Sequence, residues 1–546
     1  MEVTKTNFDQ ALSILSKDIK NASCISFDIE MTGIWDSEYT KLNILDNLEM
    51  RYLKAKAVAE KFQIAQFGIC LFEWVNSDKT TEISDDISNS FSSQNGYLIS
   101  QNHNQNNGKH NANPKKRLKI ENTVTNGYYN AKPFNFYIFP KFKNGIFKQE
   151  KVFSMLNSGI EFLAENNFDF NKWIYQGIPY VAFNDIESLK NIKIKSANRC
   201  NKKIPIPEDK TMFVNNFKEK IDLFIKNPTE NEITILTSNN YERRLVHQET
   251  NGIDGLYSMS QRGDIIIKKL SKEEIDQKIE SQLTEINESS ERSKGFTKVI
   301  ELLINAKKTI IGHNCLLDLV FIYSHFFGKL PNTLSEFKML IHAIFPRIYD
   351  TKHIFEQSPE LKLSYPSSTL KAISETVTIF YNLEIGSMFS KYITSSLHEA
   401  GYDAYLTGLV YLKANIDSDL ASRLVFLNKI YVFKSDPEFI SITESDVEPT
   451  RPNVIICSST KGRLDLEKLD NFMDNEMGIP EVDLYPISET SCFIHLQKFE
   501  KHHTLELMSK IINKKIYKDS LWKVETYTDF CSNLPPLYND RNVVLF

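Results

Sequence analysis

The sequence predicts a multi-domain α/β protein, and three observations carry that reading. Apolar runs with the period-two pattern of strands, such as Phe62–Phe72, alternate with runs of helical period such as Lys298–Ile304. With 546 residues, 41% of them hydrophobic, the chain has material for about two to four separate cores. Composition then changes twice, to a Ser-, Asn-, Gln- and His-rich stretch over about 81–130, and to a strand–helix–strand–strand–helix–strand order beyond about Pro452.

Charge and cysteine content narrow the function classes. A net charge of -5 does not advertise a polyanion partner, so any nucleic-acid surface has to be a local patch or a metal-screened groove. The seven cysteines are scattered, odd in number and never spaced C-x-x-C, which excludes a zinc or redox motif and fits a reducing compartment. No window approaches the roughly 18 uncharged apolar residues of a membrane span, and Lys5, Asp9 and Lys17 interrupt any signal-peptide core.

Taken in order, the first strand is the run around Cys24–Phe27, and Phe62–Phe72 is expected to lie beside it. Tyr39–Lys61 reads as an amphipathic helix or a long loop. Residues 81–130 are too polar to bury a core and read as a disordered insertion, with order resuming at the aromatic strand Pro133–Pro140. The basic cluster Pro114–Lys119 inside that insertion fits a nuclear-import signal, a phosphate-contacting patch or a solvated charge run. A helix through Phe153, Leu156, Ile160, Phe162 and Leu163 is followed by a turn-rich stretch, Gly177 to about Pro207. Residues from about Glu208 to Asp264 read as a small separate unit, joined back by a charged helical arm, Lys269–Arg292. Thr309–Ile311 forms a short strand, Gly312–Asn314 turns, and Cys315–Tyr323 forms an apolar helix.

The candidate chemistry lies in four acids and one histidine. Strand residues two apart face the same side, so Asp28 and Glu30 project together and repel unless a cation sits between them. Hard divalent ions held by carboxylate oxygens are the usual remedy. Asp318 lies near the start of the apolar Cys315–Tyr323 helix, where an unpaired acid is costly unless it is paired or binds a metal. Asp403 falls in the opening turn of a helix with apolar Leu406, Leu409, Val410 and Leu412, and His398 sits on the lead-in.

The series Asp28-x-Glu30, then Gly312-His313-Asn314 with Asp318, then His398 with Asp403 resembles the DEDDh class of 3'-to-5' exonucleases. Flanking blocks, among them Phe134–Tyr137, Gly177–Tyr180, Ile206–Asp209, Leu334–Lys338, Phe345–Lys352 and His398–Tyr405, resemble the poly(A)-specific ribonuclease family over most of the chain. The same block order is shared with related trimmers that mature small RNAs such as piRNAs, many of which carry a C-terminal membrane helix that this sequence lacks.

The resemblance implies a ribonuclease-H-like core formed by residues 1–205 and 291–430, an inserted nucleic-acid-binding unit over 206–290, and an RRM-like α+β domain over 450–530. The insertion carries Arg243-x-x-x-His247, similar to the signature of small Arg-x-x-x-His single-strand binders. In the last domain the central strands lack base-stacking aromatic signatures. Tyr485-Pro486 stand where the family places a cap-stacking tryptophan, so a packing or dimer-stabilising role is an equal reading.

The implied activity is Mg²⁺-dependent 3'-to-5' exoribonuclease action on a single-stranded RNA 3' end, poly(A) above all, releasing 5'-nucleoside monophosphates. Asp28, Glu30, Asp318 and Asp403 would hold two Mg²⁺ ions, with Mn²⁺ as a substitute, and His398 would take a proton from the attacking water. Met31, Ile34 and Leu317 would wedge against the terminal base and Lys338 would pair with a phosphate. Methionine at 31, where the family typically has a phenylalanine, implies weaker adenine preference. A homodimer in the nucleus, the cytoplasm or both completes the expectation. The alternatives are a small-RNA trimmer, a catalytically inactive RNA-binding scaffold and a DNA-proofreading exonuclease.

Overall fold

In the computed structural model, the residues described are 1–76, 127–141, 143–144, 147–148, 150–197, 203–251, 253–377, 383–393, 397–417, 424–447, 449–479, 482–497 and 522–532. Most of the polar insertion, with Pro114–Lys119, and the second helix expected beyond about Pro452 lie outside them.

The main body is built on β1 (Glu2–Val3), β2 (Cys24–Met31), β3 (Ile64–Asn76) and β4 (Gly127–Tyr137), with a two-stranded hairpin, β5 (Lys143–Asn144) and β6 (Phe147–Lys148), after them. Strand β4 starts at Gly127, six residues before the expected Pro133, because Tyr128–Lys132 pair with Leu71–Val75 of β3. Further on come β7 (Glu232–Ile235), β8 (Leu256–Gln261), β9 (Asp264–Lys269), β10 (Thr309–Gly312), β11 (Ile348–Asp350) and β12 (Leu383–Ile385). Seven of these form one mixed sheet in the order β1-β4-β3-β2-β10-β11, with β12 beside β4. Pairing is antiparallel across β2, β3 and β4, and β10 and β11 run parallel to β2.

This is the α/β architecture expected from the alternation of periods. Strand β3 is buried along its first nine residues, because helices cover both faces of the sheet. One face carries the helices Leu48–Lys61, Thr297–Ala306 and Leu316–Phe326 over Phe27, Ile29, Phe67 and Ile69. The other carries Ala400–Asp417 over Cys24, Cys70 and Phe72. Tyr39–Asn47 is loop and turn, and the helix starts at Leu48 with the Asn47 side chain capping Met50 N–H at 2.9 Å. The stretch after Gly177 is less turn-rich than its composition implies. Phe183–Ala197 is a 15-residue helix.

Strands β7, β9 and β8 form a separate antiparallel sheet. Its core of Ile235, Leu256, Ile265 and Ile267 is closed by the helices Glu208–Lys226 and Asn240–Thr250. Helix Lys272–Ser293, started by a Ser271/Glu274 capping box, leads back to the main body. A hairpin, β13 (Lys429–Tyr431) with β14 (Phe439–Ser441), follows. Then β15 (Val454–Ser459), β16 (Val482–Ser488), β17 (Ser491–Leu496) and β18 (Trp522–Thr526) form an antiparallel sheet, order β16-β17-β15-β18. Its two faces alternate as the strand period requires. Ile455, Cys457 and Ile494 pack on Leu469 and Phe472, whereas Val454, Ile456 and Phe493 pack on Leu45 and Met50 of the main body.

Candidate functional site

Asp28 and Glu30 stand on β2, the central strand, with Asp28 opposite Gly68 and Glu30 opposite Gln66 of β3. The register shifts between Glu30 and Met31, a bulge that ends regular pairing directly beside the two carboxylates. The Leu316–Phe326 helix brings up Asp318, whose carboxylate accepts a hydrogen bond from the backbone of Ile29, between the two strand acids.

The fourth acid arrives because β3 has a glycine where it does. A Cβ on Gly68 would lie 1.8 Å from the carbonyl oxygen of Ala400, the first residue of the Ala400–Asp417 helix. That helix therefore seats on bare backbone next to Asp28. Gln66 Oε1 accepts the Ala400 N–H at 3.4 Å, and Asn135, opposite Gly68 on β4, donates to Glu399 at 3.2 Å. Ser26 also donates to the Ala404 carbonyl. Held there, Asp403 offers an oxygen that shares a 4.8 Å neighbourhood with Glu30 and a ring nitrogen of His398. Asp403 Oδ2 accepts the His398 N–H at 3.0 Å, and its Oδ1 is buried without a hydrogen-bond partner.

The electrostatics follow from this convergence. Burial, then repulsion from Asp403 and Asp318, holds Asp28 and Glu30 well above the ordinary carboxylate range. Burial pushes Asp318 and Asp403 up to about 7. Among the described residues none of the four makes an ion pair within 4.0 Å of a lysine or arginine. Four acids that repel one another, one with an orphaned buried oxygen, are a donor set for hard divalent cations. His398 is largely exposed, and its partial desolvation, with the charge of Lys371, lowers the imidazole pKa below its ordinary value.

The remaining sequence candidates divide. Ile34 and Leu317 line one cavity of about 370 Å³, together with Trp35, Asn314, Tyr431 and Phe433. Met31 is half-buried and packs against the main core instead. Lys338 is ion-paired, its ammonium donating to Asp446 at 2.8 Å and to the Glu444 carbonyl at 2.6 Å. Arg243 and His247 lie one turn apart against the β8–β9 hairpin, with Arg243 donating to the Gly263 carbonyl and His247 bonded to Ser258 and Ser260.

Two supporting residues escaped the sequence reading. Asp350 is fully buried and accepts backbone N–H groups from Asn314, Cys315, Lys352 and Tyr431 at 2.8–3.1 Å. It thereby fixes the turn that launches the helix of Asp318. Its signal was an Asp directly before a helix start, a capping position. The signal of Gly68 was a glycine inside a strand, which marks close backbone approach.

An α/β sheet with four carboxylates converging on its central strand defines a candidate hydrolase centre for divalent cations. The family model for CAF1 family ribonucleases matches residues 3–411, and the chain belongs to that family. It is similar to poly(A)-specific ribonuclease PARN of Xenopus laevis, 28% identical over 97% of this chain and 81% of the relative. The Homo sapiens PARN is 26% identical over 97% of this chain and 80% of the relative. The pre-piRNA 3'-exonuclease trimmer of Bombyx mori is 24% identical over 90% of this chain and 88% of the relative. Among solved structures, S. pombe Pop2p in a Mg²⁺- and Mn²⁺-bound form aligns with a TM-score of 0.35 and 14% identity, over 79% of this chain and 98% of that one.

Proposed function

We propose that this ribonuclease is a divalent-metal-dependent 3'-to-5' exoribonuclease that shortens poly(A) tails. One observation carries the reading: Asp28, Glu30, Asp318 and Asp403, drawn from three distant segments, lie near enough for Asp403 and Asp318 to repel Asp28 and Glu30, and Asp403 keeps a buried, unpartnered oxygen. The similarity to PARN along almost the whole chain supports poly(A) as the substrate. Two Mg²⁺ ions fit the donor set, and Mn²⁺ would substitute. When bound, they supply Lewis acidity that lowers the pKa of the attacking water and neutralises charge on the scissile phosphate.

The residues of the chain divide the remaining work. Asp28, Glu30, Asp318 and Asp403 hold the cations. His398, with a ring nitrogen within 4.8 Å of carboxylate oxygens of Glu30 and Asp403, accepts the proton of the attacking water. Ile34 and Leu317, which line one cavity, supply an apolar wall for the terminal base. The main body is ribonuclease-H-like, the β7–β9 unit is an Arg-x-x-x-His-type single-strand binder, and the C-terminal sheet is RRM-like. A homodimer, with import directed by Pro114–Lys119, belongs to the same proposal.

Oligonucleotides of one body sequence with A-tails or U-tails, incubated with Mg²⁺ or EDTA, test it. Wild type is expected to release 5'-AMP from the A-tail faster than 5'-UMP from the U-tail, and Asp28→Ala to release neither. Equal rates on both tails favour the trimmer reading, supported by the silkworm relative. Release unaffected by Asp28→Ala or by EDTA sinks both.

A further inference from the structure

Phe162 lies on the Asn157–Glu165 helix and is 41% exposed, although the next residue, Leu163, is buried with Tyr137, Phe168 and Trp173. Its ring meets the His398 imidazole edge-on, with centroids 4.8 Å apart and planes at 73°. The helix is also tied to the strand of Glu30. Leu156 N–H donates to the Thr32 carbonyl at 2.8 Å, and the Thr32 hydroxyl donates to the Ser154 carbonyl at 2.9 Å. One short helix thus spans from two residues beyond Glu30 to the histidine across the site.

His398 needs such a hold. Its backbone is left-handed, with φ 67°, an uncommon conformation for a residue other than glycine, and the Asp403 carboxylate fixes its N–H. Those contacts settle the backbone and leave both side-chain torsions free. An exposed imidazole changes rotamer on the picosecond-to-nanosecond scale, whereas proton transfer requires it within hydrogen-bond reach of the water. An edge-on aromatic neighbour restricts the ring.

We propose that Phe162 is a positioning residue, which holds the His398 imidazole over the carboxylate cluster and sets the turnover rate without contacting RNA. The proposal rests on the role given to His398 above. Its test is kcat and KM on an A-tailed oligonucleotide with Mg²⁺ for wild type, Phe162→Ala, Phe162→Tyr, His398→Ala and the Phe162→Ala/His398→Ala double variant. Phe162→Ala is expected to lower kcat by about tenfold to a hundredfold, with KM moved less than about twofold. Phe162→Tyr, which keeps the ring, is expected to restore most of the rate. In the His398→Ala background, Phe162→Ala is expected to cost nothing further.

A raised KM at unchanged kcat makes Phe162 an RNA contact and overturns the proposal, as does an equal loss in both backgrounds. If Phe162→Ala does not fold, Phe162→Leu replaces it, and a folded Phe162→Leu at full kcat also overturns the proposal. His398→Ala at the wild-type rate removes the role of His398 and this proposal with it. Inactive wild type, by contrast, defeats the exonuclease reading itself.

Discussion

Replacing Asp403 by Asn should stabilise the metal-free protein while removing its response to metal. Asp403 has its pKa raised from 3.8 to about 7, chiefly by burial. An acid raised on folding costs nothing below its unfolded pKa, and its cost is complete above its folded pKa, so the metal-free protein loses stability as pH rises from about 4 to about 7. At 1.36 kcal/mol per pKa unit the upper limit is about 4 kcal/mol. Asn keeps an oxygen to accept the His398 N–H and removes the charge, at the cost of a buried amide. A net gain of about 1–3 kcal/mol at pH 8 corresponds to roughly 2–6 °C in Tm.

The assay is thermal denaturation at pH 8 in EDTA and in Mg²⁺. Wild type at a hundredfold excess of Mg²⁺ over its Kd gains about 2.7 kcal/mol, and Asp403→Asn should lose most of that gain. A variant that melts lower than wild type in EDTA, yet responds fully to Mg²⁺, would refute the argument that these acids are held in mutual repulsion for a cation.

Three further predictions follow from individual contacts. Gly68→Ala places a Cβ 1.8 Å from the Ala400 carbonyl, so the Ala400–Asp417 helix has to shift. It should cost about 1–3 kcal/mol by denaturant titration and at least about a hundredfold in nucleotide release, and normal activity would contradict that seating. Asp350→Ala orphans four N–H groups, those of Cys315 and Tyr431 buried, with an expected loss above about 2 kcal/mol; an unchanged urea midpoint would show that the turn before Cys315 is held otherwise. Lys338→Met leaves Asp446 without its partner, so stability should fall by about 1–3 kcal/mol while KM for RNA stays constant, and a KM increase alone would return Lys338 to the substrate.

The chain's strand and helix periods made the central sheet legible, because β2 and β3 are long, apolar and close in sequence. The shortest strands were not. β1 has two residues and β12 has three, and both exist only because β4 offers them an edge from more than a hundred residues away. Phe183–Ala197 escaped because its Asn, Asp and Lys content resembles a loop until its contact with Lys272–Ser293 is seen. The acids of the site stood out since unpaired carboxylates beside apolar runs demand a reason. Gly68 and Asp350 act through backbone approach and backbone N–H groups, which become visible only when the Ala400 helix and the Gly312–Cys315 turn are in place. The ion pair of Lys338 was equally hidden, since its partner Asp446 lies about a hundred positions later.

The most direct test of the central claim is Mn²⁺ binding followed by electron paramagnetic resonance. The account predicts saturable uptake by wild type, competition by Mg²⁺, and sharp weakening in Glu30→Gln and Asp318→Asn. Mn²⁺ uptake that is unchanged in both variants would contradict it.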